Sequence, residues 1–362
     1  MSAIATRCPA DRAPAAAPPP ARGRAALAGA ALVLVASVTL AVTVGPAGIA
    51  AADVWRTIGH HVLGPLGLAP GAALSPLLDG IVWDLRLPRV LTAAAVGGGL
   101  AVAGAVMQSL VRNPLADPYL LGLSSGASFG AVAVLVLGLG VLLPVAAFLG
   151  ALAALAAALG LAGSLGTLTP ARTVLAGLAV GQLAAAATSF VVFWSATGDS
   201  YREILAWLMG SLAGAGWPQV AIAGGATLAL GLVLSAHARV LDAVGLGDTA
   251  AAALGVEVTR VRWTLLVVVA LLTGALVSVS GSIGFIGLVV PHAVRLLVGT
   301  GHRRLLPLSA LVGASFLIWA DTAARALFEP RELPVGIVTA FVGAPAFAAI
   351  LWRRRSAAGD LP

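Results

Sequence analysis

The chain has 362 residues, of which 60% are hydrophobic and 10% charged, and its mean hydropathy is +1.02. A soluble domain carries roughly 25% charged residues, so an ordinary soluble chain and a disordered one are both excluded, and the main solvent is lipid. All 21 basic residues are arginine; without lysine there is no Schiff-base chemistry and no P-loop lysine.

Taken in order, residues 1–24 are rich in Ala, Pro and Arg and read as a disordered tail. The apolar run from about Ala25 to Val44 is the first span. A signal peptide cleaved near Ala50–Ala52 is the alternative, but the run is long enough to span and the preceding tail is long. Further apolar segments lie near 90–111, 119–138, 143–165, 173–196, 219–237, 263–281, 283–299, 305–327 and 335–352, each close to the length that crosses a bilayer. Together they predict an all-α, polytopic membrane protein of about ten transmembrane helices. Residues 25–352 form the transmembrane domain, and residues 353–362 a second tail.

Arginine bias sets the orientation. With both termini cytoplasmic, six arginines (Arg56, Arg86, Arg89, Arg202, Arg325 and Arg331) fall outside and the rest inside, including the Arg353–Arg355 triplet. The arginines are scattered, so the net charge of +7 marks topology and not a nucleic-acid surface. Cys8 is the one cysteine, and no Cys/His cluster suggests a metal site. Small residues such as Gly97–Gly99 and Gly104 suit close helix packing in lipid.

Five stretches depart from generic lipid-facing helix. They are Arg86-Leu87-Pro88-Arg89; Gly104 to Gln108 with Asn113 to Pro118 and Leu121 to Ala127; Leu246 to Gly255; Gly281 to His292 with Arg295 and Gly301 to Arg303; and Asp321 to Arg325 with Glu332 to Gly336 and Gly343 to Pro345. The inner loop 241–257 is amphipathic: Leu246, Ala250, Ala253 and Leu254 recur at helical spacing, and Gly245, Gly247 and Gly255 permit tight turns. Asp321 precedes Arg325 by four residues, which predicts a local pair orienting that arginine. Asn113, Pro114, Asp117 and Pro118 predict an inner turn. A serine-protease motif needs a spacing different from Gly122-Leu-Ser-Ser-Gly126.

At these residues, from about Arg86 to Trp352, the chain resembles the FecCD-type permeases of ABC importers for iron-siderophore, heme and vitamin B12. The resemblance implies a type II importer bundle in the plasma membrane of a prokaryote. It implies a homodimer that needs two cytosolic ATPase subunits and an extracytoplasmic substrate-binding protein, and a chain with no cofactor and no catalytic site of its own. It implies that Arg86, Arg89 and Arg325 receive acidic residues of the binding protein, a task suited to the planar guanidinium. It implies that Leu246, Gly247, Asp248, Ala250, Leu254 and Gly255 form the coupling element in an ATPase cleft. Thr169, Pro170 and Ala171 occupy the inner-gate position, where Pro170 and Ala171 depart from the hydroxyl pattern of vitamin B12 permeases. Ferric siderophore is the first expected cargo, with heme and cobalamin as rivals. An ion-coupled secondary transporter would need carboxylates at membrane mid-depth, and every acidic residue maps to a tail, a loop or a span end.

Overall fold

The computed structural model describes residues 20–45, 47–68, 74–138, 141–164, 166, 169–195, 198–327 and 331–359; of the expected tails 1–24 and 353–362, residues 1–19 and 360–362 lie outside them, and 20–24 and 353–359 are helical. In chain order the helices are α1 (Pro20–Thr43), α2 (Ala51–Leu63), α3 (Pro76–Gly80), α4 (Leu87–Leu110), α5 (Leu123–Leu137), α6 (Leu143–Ser164), α7 (Pro170–Ser195) and α8 (Gly198–Leu208). They continue with α9 (Trp217–Ala236), α10 (Ala238–Gly245), α11 (Asp248–Ala253), α12 (Val258–Ser280), α13 (Ile286–Val298), α14 (His302–Ala326) and α15 (Val335–Gly359). Seven helices are long and apolar enough to cross a membrane, and α5, α13 and the 335–350 part of α15 are shorter apolar helices. These ten correspond to the ten segments read from hydropathy.

The chain alternates between two ends of the bundle. The end of α1, the start of α4, the end of α14 and the segment before α15 meet at one end. The end of α4, α10, α11 and the α13–α14 junction meet at the other. α4 is the core: it packs against α9, α12, α13 and α14, and nearly all of its side chains are buried. Glycine makes this possible. A Cβ at Gly97 would overlap the Gly313 carbonyl of α14, and one at Gly104 would overlap the Gly287 backbone of α13. Lipid offers no hydrophobic force between helices, so such close backbone approach supplies the packing.

The nearly continuous run after Val258 is broken at residues 281–285. Gly281 adopts φ 66° and Phe285 φ 68°, the latter a rare conformation for a bulky residue. Backbone unwound at this depth must be satisfied by protein. Tyr119 Oη donates to the Ile283 carbonyl at 3.0 Å, Ser124 and Ser282 share a hydroxyl bond of 2.6 Å, and Ser211 N–H donates to the Ser280 carbonyl at 2.9 Å.

Several segments differ from the hydropathy reading. The second crossing begins at Pro76, because α3 continues through a π-helical stretch, Ile81–Arg86, into α4. Pro88 has no N–H to donate to the carbonyl four residues back, and the widened turn ends just before it. The inner turn at 113–118 leads into a 3-10 turn, Pro118–Leu121, that packs against α7 and against Gly287. The third crossing therefore starts as α5 only at Leu123. The short helices α2 and α8 fill segments read as loops, and α15 continues past residue 352 to Gly359.

Candidate functional site

At one end, Arg86, Arg89 and Arg325 line a single pocket of about 520 Å³ with Val44, Gly45, Leu85, Ala213, Ala215, Ala326 and Glu332. The three arginines come from two distant parts of the sequence. On α4 the π-helical turn and Pro88 set Arg86 and Arg89 three residues apart on one face, and α14 delivers Arg325 in its last turn.

Their bonding differs. Arg86 donates through Nη1 to the carbonyls of Val42 at 2.9 Å and Thr43 at 3.3 Å. Arg325 donates through Nη2 to the Ala41 carbonyl at 3.0 Å. These oxygens belong to the last turn of α1, which has no intrahelical partners for them, so two arginines cap one helix and offset its negative end. Arg89 instead grips Asp321 with Nε to Oδ2 at 2.9 Å and Nη2 to Oδ1 at 3.0 Å, and reaches Glu332 Oε2 with Nη1 at 2.7 Å.

The expected i,i+4 ion pair of Asp321 with Arg325 is present, but it is the weaker of two. The main bond of Asp321 is to Arg89, 232 residues away in sequence, while its contact with Arg325 Nε is 3.6 Å. Asp321 is buried, so a bidentate pair is needed to offset its desolvation. Removing either partner of such a buried pair costs about 3–5 kcal/mol.

At the other end, the loop 241–257 folds as two short helices, α10 and α11, joined at Leu246 and Gly247. Leu246 is 72% and Leu254 65% exposed, and Ala250 is exposed between them. Gly247 (φ 110°) and Gly255 (φ 82°) turn the chain at either end of α11. Asp248 accepts from Arg262 Nη2 of α12 at 2.9 Å and lies 3.8 Å from Arg112 Nη2. The Arg262 hydrogen bond, aided by the charges of Arg262 and Arg112, holds the Asp248 carboxyl below the usual aspartate range. The six expected coupling residues therefore form one exposed element, and Asp248 ties it to the bundle.

A second tie was not read from the sequence. Asp242 of α10 accepts from the His302 backbone N–H at 3.0 Å and lies 2.6 Å from His302 Nδ1, while His302 Nε2 lies 2.6 Å from Ser109 Oγ of α4. Gln108, one residue earlier, donates to the Leu288 carbonyl at 3.1 Å and accepts from Arg295 Nη1 at 2.8 Å. Gln108, Arg295 and His302 lay inside the quoted stretches and Asp242 in the 241–257 loop, whereas Ser109 and Arg262 lay outside them.

Thr169, Pro170 and Ala171 do not join either cluster. Thr169 Oγ1 accepts the Arg172 N–H at 3.4 Å and its carbonyl accepts from Thr173 Oγ1 at 3.0 Å, so this segment caps α7, with Pro170 at its first position. Among the described residues no group of three or more His, Cys, Asp or Glu could hold a metal ion.

Similarity to known proteins agrees with this architecture. The profile of the FecCD transport family matches residues 32–353. The cobalamin import system permease protein BtuC of Halobacterium salinarum is 41% identical, with 91% of this chain and 96% of that protein covered. The hemin transport system permease protein HmuU of Yersinia pestis is 44% identical, with 82% of this chain and 92% of that protein covered. Among solved structures, a metal-chelate type ABC transporter in an inward-facing conformation superposes with TM-score 0.79 at 31% identity, covering 91% of this chain and 99% of that one. The fold and these matches define a multi-pass permease of an ABC importer. The chain belongs to the FecCD transport family. Members of this family work with ATPase subunits and a binding protein.

Proposed function

We propose that this permease carries a bulky metal chelate inward by alternating access, as a homodimer turned by two cytosolic ATPase subunits and fed by an extracytoplasmic binding protein. The observation that carries this reading is the pairing of two different ends on one bundle: a pocket with three arginines at one, an exposed two-helix element at the other. Arg86, Arg89 and Arg325 then receive acidic residues of the binding protein, since guanidinium forks set register and steer encounter with carboxylates. Leu246, Gly247, Asp248, Ala250, Leu254 and Gly255 sit in the ATPase cleft, and both termini face the cytosol. The chain has no lysine for a nucleotide-binding P-loop, so hydrolysis belongs to the partner. The second copy follows from the family's way of assembling. Thr169, Pro170 and Ala171 act at the start of α7 as the inner gate.

Relatives named for cobalamin and hemin, and a structure named for a metal chelate, support the cargo class. Ferric siderophore is the third member of that class and the cargo first read from the sequence. Uptake is measured into vesicles bearing the permease and its ATPase, with the binding protein outside and ATP inside, using cyanocobalamin, hemin and a ferric siderophore. ATP-dependent entry of one of them is expected. Entry of free metal ions with none of the three chelates would overturn the cargo reading.

A further inference from the structure

The three pocket arginines are not equivalent receivers. Arg86 donates to the Val42 and Thr43 carbonyls of α1 and to the Ala47 carbonyl beyond it, at 2.9 to 3.5 Å, and Arg325 donates to the Ala41 carbonyl of α1 at 3.0 Å. Among the described residues Arg86 has no carboxylate partner, and Arg325 has the single, longer ion pair with Asp321 at 3.6 Å. Arg89 is already neutralised twice. One of its carboxylates, Asp321, is fixed, with a side chain 2% exposed; the other, Glu332, is 48% exposed and stands in the pocket wall.

A carboxylate on the pocket wall, bonded at 2.7 Å to a guanidinium, competes with any incoming acid for the same donor. We propose that Glu332 is a resident stand-in for the partner's carboxylate: it occupies Arg89 in the free permease and is exchanged when an acidic protein surface docks. The proposal rests on the docking role of the three arginines and deepens it. Arg86 and Arg325, largely buried but less compensated in charge, supply the attraction for the acid, and Arg89 becomes available only when Glu332 leaves.

The exchange has a route into the bundle. Glu332 lies three residues before α15, and the Leu333 N–H bonds the Ala324 carbonyl at 3.1 Å. At the start of α15, Gly336 abuts the Met209 and Ser282 carbonyls, and about two turns further on Gly343 packs against Phe285. Ser282 and Phe285 belong to the unwound segment 281–285. Loss of the Glu332–Arg89 bond therefore releases the end of α15 that bears on this break.

The test uses the full-length permease in detergent micelles and a fluorescein-labelled hexaglutamate peptide as the probe, titrated at low ionic strength, where exposed charges are least screened. Glu332→Gln removes the competing charge and is expected to tighten peptide binding about tenfold, the worth of one charge-assisted bond. Glu332→Asp, which keeps the charge but shortens its reach, gives a smaller gain in the same direction. Arg86→Glu is expected to abolish binding. If Arg86→Glu abolishes binding while both Glu332 variants bind as the parent or more weakly, the stand-in role is wrong and the pocket still receives acids. If Arg86→Glu leaves binding unchanged, the acid-receiving role itself is wrong and the stand-in falls with it.

Discussion

His302 Nδ1 lies 2.6 Å from Asp242 Oδ1, and its Nε2 lies 2.6 Å from Ser109 Oγ. One imidazole thus joins α10, half of the exposed cytosolic element in our reading, to α4, the most buried helix. If α10 moves with the ATPase as proposed, this polar link carries the motion to the core alongside the direct packing of α10 on α4. His302→Ala is expected to lower transport per ATP hydrolysed by roughly tenfold, within the range of single-residue coupling energies. Uptake and hydrolysis measured on the same vesicles check this; an unchanged ratio would remove the link from the mechanism.

The Asp248 carboxyl is depressed in the folded chain by the Arg262 hydrogen bond. Its stabilising contribution is therefore present above the ordinary aspartate value of about 3.9 and is lost as pH falls through the lower, folded value. Half-exposed as it is, the contribution is on the order of 1 kcal/mol. Amide exchange over residues 246–256, corrected for intrinsic rates, should show α11 loosening at acid pH in the parent. Asp248→Asn should already be loosened at neutral pH and show no further acid step.

Gly104 leaves no room for a side chain against Gly287, whereas Gly231 faces open space. Gly104→Ala is expected to cost about 1–3 kcal/mol through overpacking, and Gly231→Ala to stay within about 0.5 kcal/mol. Thermal unfolding in detergent distinguishes them. Equal midpoints would mean that α4 and α13 part without penalty.

Orientation is checked with single thiols on a chain in which Cys8 is replaced by Ser. Thr249→Cys, exposed on α11, should react with an impermeant maleimide only after the cells are opened. Labelling in intact cells would reverse the two ends and with them both partner assignments.

The ten crossings were legible because hydropathy alone sets them: lipid demands long apolar helices whatever the packing. The pocket arginines were legible as a set through the family resemblance, since outer-side placement alone also held Arg56, Arg202 and Arg331. Their bonding was not. A four-residue spacing favoured Asp321 with Arg325, but the carboxylate turns to Arg89 because α4 and α14 approach through Gly97 and Gly313. That choice is tertiary, and no local pattern records it. The same holds for His302, Ser109 and Asp242, each unremarkable until three helix ends converge, and for α2 and α8, whose segments are too short and mixed to register as helices by apolar length.

The caps on α1 bear on how the chain is made. Its terminal carbonyls at Ala41, Val42 and Thr43 are satisfied by Arg86 and by Arg325, the latter 284 residues from Ala41. An early helix is consequently secured in part by a residue made much later. Until α14 has been synthesised, α1 can enter the bilayer but lacks the Arg325 cap and the packing of α14, so a nascent chain truncated before Arg325 should remain open to membrane quality control.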